Sequence, residues 1–203
     1  MQRRGPVRSI LGLAASTVVL GLLLTGCTAD PLAKQYADGS AKNYTSGDGT
    51  VVFTQPSSRQ APVTFSGTSD SGAKISSSAY ANKVLIVNFW YAGCPPCRKE
   101  APILSAAYAK YSAKGVDFLG VNTMDQAATA QTFTDKFGLK YPSIVDANDT
   151  AVQFAFAGSI KPDAVPTTLV IDRSGRVAGR ISGLIHDASE LGTLIDAALA
   201  EKG

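Results

Sequence analysis

The chain has 203 residues, 45% of them hydrophobic and 17% charged, enough for one globular core with residues to spare. Its 19 Lys and Arg exceed its 16 Asp and Glu only because Arg3, Arg4 and Arg8 precede Cys27 and no acid does; beyond that point the two signs balance at 16 each. A balanced chain lacks the basic footprint of a nucleic-acid binder and the polybasic patch of an electrostatic membrane binder.

In chain order, the first feature is a leader. Arg3, Arg4 and Arg8 are followed by an apolar run from Ile10 to Leu24, interrupted by Gly12, Ser16, Thr17 and Gly21. That is the layout of a secretory signal, short and broken for a spanning helix, with an uncleaved membrane anchor or an ordinary secretory signal as the alternatives. Leu24-Thr25-Gly26-Cys27 closes it and resembles the bacterial lipobox. The resemblance implies a signal peptide over 1–26, lipidation of Cys27, and a chain held on the outer face of the bacterial cell membrane. Two acyl chains suffice for stable anchoring.

From Cys27 to about Gln60 the chain is rich in Ser, Thr, Gly, Asn and Asp and has little hydrophobic periodicity. The expectation is a flexible tether over 27–60, with a short strand available at Thr50–Thr54. A domain is expected over 61–203. Pro62–Phe65 and Lys74–Ile75 flank the turn signal Ser71-Gly72 and predict a hairpin at its start. Val84–Phe89 is apolar and β-rich, as a strand buried on both faces must be. A helix follows from Pro95 to about Ala113, then strands and helices alternate: Val116–Val121, Gln126–Phe137, Pro142–Val145, Ala151–Ala157. Thr168–Asp172 and Arg176–Ser182 predict a second hairpin around Arg173-Ser174-Gly175. Asp187–Lys202 predicts a last helix with Asp187 as N-cap and Glu190 completing a capping box. The pattern implies an α/β fold with one mixed sheet and helices on both faces.

Of three cysteines, Cys27 is assigned to lipid; Cys94 and Cys97 remain, two residues apart. A disulfide closing so small a loop removes little entropy from the unfolded chain, and one CxxC cannot supply four metal ligands. Redox chemistry remains, in a compartment that permits disulfides. Cys94 falls at a helix N-cap, where the macrodipole and free N–H groups favour a thiolate, so it is the expected nucleophile; Cys97, one turn in and more buried, is the expected resolving thiol. Pro95 and Pro96 carry no N–H, so the Cys97 N–H becomes the main donor to the Cys94 sulfur.

The segment Val87-Asn88-Phe89-Trp90-Tyr91-Ala92-Gly93-Cys94-Pro95-Pro96-Cys97-Arg98-Lys99-Glu100-Ala101-Pro102 resembles the active-site segment of TlpA/ResA-type thioredoxin-like proteins. Ala164-Val165-Pro166-Thr167-Thr168 resembles the cis-proline segment of that family, and Ala61-Pro62-Val63-Thr64-Phe65 its opening pattern with one residue inserted. The resemblance implies a thioredoxin-like fold with an N-terminal hairpin extension and a cis peptide before Pro166 facing the cysteine pair. It also implies a proton-accepting role for Glu100 toward the buried thiol, whereas the residues alone read equally as a solvated surface glutamate compensating Arg98 and Lys99. Asn88 stands where thioredoxin relatives keep an acid, and Gly93 where the family often has tryptophan, which predicts a more open lip. Trp90 is expected behind the site as core, and His186 has no assigned catalytic part.

The implied activity is a membrane-anchored extracytoplasmic thiol–disulfide oxidoreductase needing no cofactor or metal. Its expected partners are exported disulfide-containing proteins, apocytochrome c among them, and a membrane thiol electron donor, with no nucleic acid. A disulfide-inserting oxidase is the nearest rival. A thiol peroxidase fits less well, because Tyr91 stands where peroxiredoxins carry threonine, three residues before the cysteine. A non-catalytic binding lipoprotein of the same fold is a rival from a different class.

Overall fold

The computed structural model describes residues 44–45, 50–160 and 164–201; the leader and Cys27 lie outside the described residues. The strands are β1 (Tyr44–Thr45), β2 (Val51–Phe53), β3 (Ser66–Thr68), β4 (Lys74–Ser76), β5 (Val84–Trp90), β6 (Val116–Asn122), β7 (Ser143–Val145), β8 (Thr167–Ile171) and β9 (Val177–Ser182). The helices are α1 (Pro95–Tyr111), α2 (Ala127–Phe137), α3 (Ala151–Ala155) and α4 (Ala188–Ala200).

Every residue of β5 is buried, and side-chain alternation along the strand divides the core in two. Val84, Ile86 and Trp90 join a cluster with Leu104 and Tyr111 of α1, Phe133 of α2 and Leu191 of α4. Leu85, Val87 and Phe89 join Phe65, Ile144, Val152 and Phe156 on the opposite face. The main sheet runs β1-β2-β9-β8-β5-β6-β7, parallel from β5 to β7 and antiparallel from β5 back to β1. This is the expected mixed sheet with helices on both faces, in a thioredoxin-like arrangement.

Three expectations need correction. Residues before Ala61 are not all tether: β2 pairs with β9, β1 pairs with β2, and Val51 and Phe53 enter the core. β2 falls within the short strand expected at Thr50–Thr54, but it belongs to the main sheet rather than to a tether. Arg59 reinforces this attachment, with its side chain fully buried, donating to Asp172 at 2.8 Å, to the Thr54 carbonyl at 2.8 Å and to Glu201. Second, the hairpin forms a separate two-stranded sheet, and its first strand is Ser66–Thr68 rather than Pro62–Phe65. The turn at Gly72, at φ +88°, fixes the register Thr68↔Lys74, so pairing must begin close to it. Gly67 lets this hairpin lie against β7, since a Cβ there would meet Ile144 Cγ2 at 2.5 Å. Third, the α4 cap is offset from a capping box: Asp187 accepts the Ser189 N–H at 2.7 Å, and Glu190 accepts the N–H of His186 rather than of Asp187.

Candidate active site

β5 ends at Trp90, and the turn Tyr91–Cys94 closes with the Cys94 N–H donating to the Tyr91 carbonyl at 3.2 Å. Cys94 is the N-cap of α1 in an extended conformation, and its sulfur accepts the Cys97 N–H at 3.2 Å. Pro95 and Pro96 occupy the first helical positions, where their missing N–H groups cost nothing to the helix but leave Cys97 as the donor. Cys94 and Cys97 are joined as a disulfide. Their expected difference in burial is absent in this oxidised form: each is 2% exposed. Tyr91, Ala92 and Val165 pack against the cluster that contains both cysteines. Pro102 sits inside α1, and the helix continues through it to Tyr111.

One turn beyond Cys97, Glu100 is fully buried. This excludes a solvated surface role. Its Oε1 accepts the Asn88 amide at 2.9 Å and its Oε2 accepts the Ile185 N–H at 3.0 Å. The Asn88 amide also donates to Thr168 Oγ1 at 3.0 Å, so the side chain at the position of the relatives' acid now orients the glutamate. Burial pushes the Glu100 carboxyl up to about 7, against the two hydrogen bonds, which favour its charged form. Among the described residues no cation pairs with it. A carboxyl poised there can take or give a proton at neutral pH.

The Val165–Pro166 peptide is cis. Thr167 pairs with Phe89, so Pro166 lies at the end of the sheet where β5 hands over to the cysteine turn. The segment is held by the Gly183 N–H on the Pro166 carbonyl at 2.8 Å and by Thr167 Oγ1 on the Ala164 carbonyl at 2.6 Å. Trp90 is 2% exposed, stacks on Phe133 at 4.3 Å between centroids and donates Nε1 to Ser143 Oγ at 3.0 Å, as expected of a core residue. His186 is exposed.

Sequence reasoning missed a polar cluster after β6. Asn122, fully buried, donates to Asp125 Oδ2 at 2.8 Å, and that oxygen also accepts the Ala92 N–H at 2.6 Å. The available signal was an Asn and an Asp three residues apart at the carboxyl end of a buried strand, the end where α/β sheets place their sites.

The Redoxin family model matches residues 56–195. The thiol-disulfide oxidoreductase ResA of Geobacillus thermodenitrificans is 33% identical over 104 residues, 51% of this chain and 57% of that protein. ResA of Bacillus thuringiensis is 30% identical over 112 residues, 55% of this chain and 62% of its own length. The chain thus spans between half and two thirds of the curated relatives it matches. Among solved structures, a secreted thiol-disulfide isomerase from Corynebacterium glutamicum superposes with a TM-score of 0.68 at 29% identity, covering 79% of this chain and 98% of that one. A DsbF homologue from Corynebacterium diphtheriae gives 0.65 at 28% identity, covering 76% and 96%. A family match over most of the chain, carried on a thioredoxin-like sheet, means that the chain belongs to the Redoxin family, beside the ResA-like thioredoxin-type oxidoreductases.

Proposed function

We propose that this chain is an extracytoplasmic thiol–disulfide oxidoreductase, anchored by lipid on Cys27, that reduces disulfides in exported proteins. The observation that carries the reading is the Cys94–Cys97 pair at the N-terminus of α1 with a buried carboxyl, Glu100, one turn away. In the reduced protein the Cys94 thiolate attacks one sulfur of the target disulfide, and the other sulfur leaves as a thiolate. Glu100 takes the Cys97 proton, and the Cys97 sulfur displaces the target from Cys94. Two electrons pass to the target, whose two thiolates take one proton back from Glu100 and one from water to leave as a dithiol, and the Cys94–Cys97 disulfide remains. Since the Gly183 N–H already takes the Pro166 carbonyl, an extended target peptide would pair with the main-chain groups of Val165.

A membrane thiol donor restores the pair, and apocytochrome c fits the substrate class, since it presents a closely spaced cysteine pair. Reduction is favoured over insertion because Pro95 and Pro96 remove two donors from the nucleophile, and strong oxidants depend on a heavily stabilised thiolate. Equilibration with glutathione or dithiothreitol, read by Trp90 fluorescence, tests the direction. The expected potential lies on the reducing side of about −180 mV, the value for protein disulfide isomerase; a value near about −120 mV would turn the reading to disulfide insertion. Failure of the reduced chain to reduce insulin would remove the enzymatic reading altogether.

A further inference from the structure

The lip ahead of Cys94 is gripped by polar groups that the thiol chemistry does not consume. Asn122 accepts the N–H groups of Asp125 and Met124 on Oδ1 at 2.7 and 3.2 Å, which shapes the loop after β6 into a tight polar knot. That knot presents Asp125 Oδ2 to the Ala92 N–H at 2.6 Å. The Thr123 N–H donates to the Trp90 carbonyl at 3.0 Å, so the two loops are strapped together at a second point. On its other side, the Ala92 carbonyl accepts Arg98 Nη1 at 3.2 Å. Ala92 is therefore held between a carboxylate and a guanidinium, two residues before the nucleophile.

We propose that Asp125 is a positioning residue for the Cys94–Cys97 pair, its carboxylate holding the Tyr91–Cys94 turn so that the Cys94 sulfur stays on the Cys97 N–H. The inference rests on the thiol-exchange reading and adds a residue to it. Within the turn itself Gly93 contributes no side chain, and Pro95 and Pro96 contribute no donors to the sulfur, so the Asp125 carboxylate is the side-chain acceptor that fixes the Ala92 N–H. The sulfur accepts the Cys97 N–H at 3.2 Å, and the placement of the turn decides whether that donor stays aligned with it. A hydrogen bond to a carboxylate is both shorter and stronger than one between neutral groups, which suits the 2.6 Å contact.

Positioning and charge predict opposite signs. A carboxylate acting through its charge alone disfavours a nearby thiolate, so its removal would lower the Cys94 pKa. A carboxylate acting as an anchor favours the thiolate, so its removal raises that pKa. The test is the rate of iodoacetamide alkylation of Cys94 in the reduced full chain against pH, with peptide mapping. D125N keeps an acceptor for the Ala92 N–H and is expected to stay within about twofold of wild type. D125A is expected to titrate higher and to react more slowly near neutral pH, by up to about tenfold for a shift of one unit. D125E keeps the charge on an arm one methylene longer and is expected to be slow as well. An unchanged or faster D125A, or a D125N as slow as D125A, overturns the proposal. Should D125A lack native far-UV circular dichroism, the other pair decides: wild-type rates in D125N with slow D125E uphold the anchor, and any other combination overturns it. Alkylation needs no protein substrate, so a failed insulin assay would sink the enzymatic reading without touching this result.

Discussion

Glu100→Gln isolates the one buried carboxyl beside the cysteine pair. The substitution keeps the side chain's shape and removes its titration. Glutamine can still accept the Ile185 N–H, and the Asn88 amide can turn so that its oxygen faces the new NH2 group while Thr168 Oγ1 becomes the donor. At pH 4 the cost is therefore about 1 kcal/mol or less, the worth of one reorganised hydrogen bond. The carboxyl titrates at about 7 in the folded protein against an ordinary 4.5. At about 1.4 kcal/mol per unit, charging it inside the protein costs on the order of 3 kcal/mol. Because its folded-state pKa is raised, the stability it contributes is complete below about pH 4.5 and fades as pH climbs through 7. Glutamine lacks this loss. Urea denaturation of the oxidised wild type and variant across pH 4 to 8 is expected to show the variant gaining on the wild type by about 3 kcal/mol between those limits. Two curves that stay parallel within about 1 kcal/mol would refute the buried, proton-holding carboxyl and with it the proposed acceptor of the Cys97 proton. If they diverge as expected, the same variant is also predicted to lower the neighbouring thiol pKa and to shift the pH profile of exchange, since a carboxylate no longer opposes a second negative charge.

The other predictions concern different parts of the molecule. Cys97→Ser is expected to trap mixed disulfides on Cys94, visible on non-reducing gels, whereas Cys94→Ser traps none; the reverse result would exchange their roles. Gly120→Ala drives a Cβ to 2.5 Å from Ser143 Oγ and 2.8 Å from Trp90 Nε1, and overpacking of this kind is expected to cost about 1–3 kcal/mol in denaturant titration and to alter Trp90 fluorescence. Arg59→Ala leaves the buried Asp172 short of a partner and is expected to cost about 3 kcal/mol. Burial alone would raise the Asp172 pKa, but the Arg176 N–H and the Arg59 guanidinium hold it below 3.8. Its contribution is therefore lost as pH falls through that lowered value, and Arg59→Ala should flatten the acid limb of the stability curve. Cys27→Ala is expected to leave the membrane fraction or retain its leader; fractionation and migration like wild type would remove the lipid anchor.

Local chemistry that one stretch of chain dictates was legible without coordinates. The apolar run of β5, broken only by Asn88, announces burial on both faces, and the Cys94-Pro95-Pro96-Cys97 segment behind it announces a helix N-terminus with few donors. Asp187 was readable as an N-cap because a carboxylate before an apolar-periodic segment satisfies free N–H groups whatever the rest of the fold does. The cis peptide before Pro166 was legible through resemblance alone, as X-Pro bonds of either isomer look alike in sequence.

Tertiary structure decided what depends on partners distant in the chain. Arg98, Lys99 and Glu100 form a charged run that reads equally as a solvated face, and only the packing of α1 against β6 and α4, with Asn88 and Ile185 at the carboxyl, buries Glu100 while Arg98 stays at the surface. Asn88 is 12 residues from Glu100 and Thr168 is 80 from Asn88, so their shared hydrogen bonds exist only once the sheet has assembled. The same holds for Asp125, whose oxygen finds Ala92 across 33 residues. The short strand at Thr50–Thr54 was legible, but not its place: only the ladder of β2 to β9 and the reach of Arg59 across 113 residues to Asp172 make it part of the domain. By itself the sequence determined where the thiols stand and what chemistry two adjacent cysteines can do. The long-range contacts determined how charge and protons are managed around them, because desolvation and hydrogen-bond geometry are properties of the assembled interior.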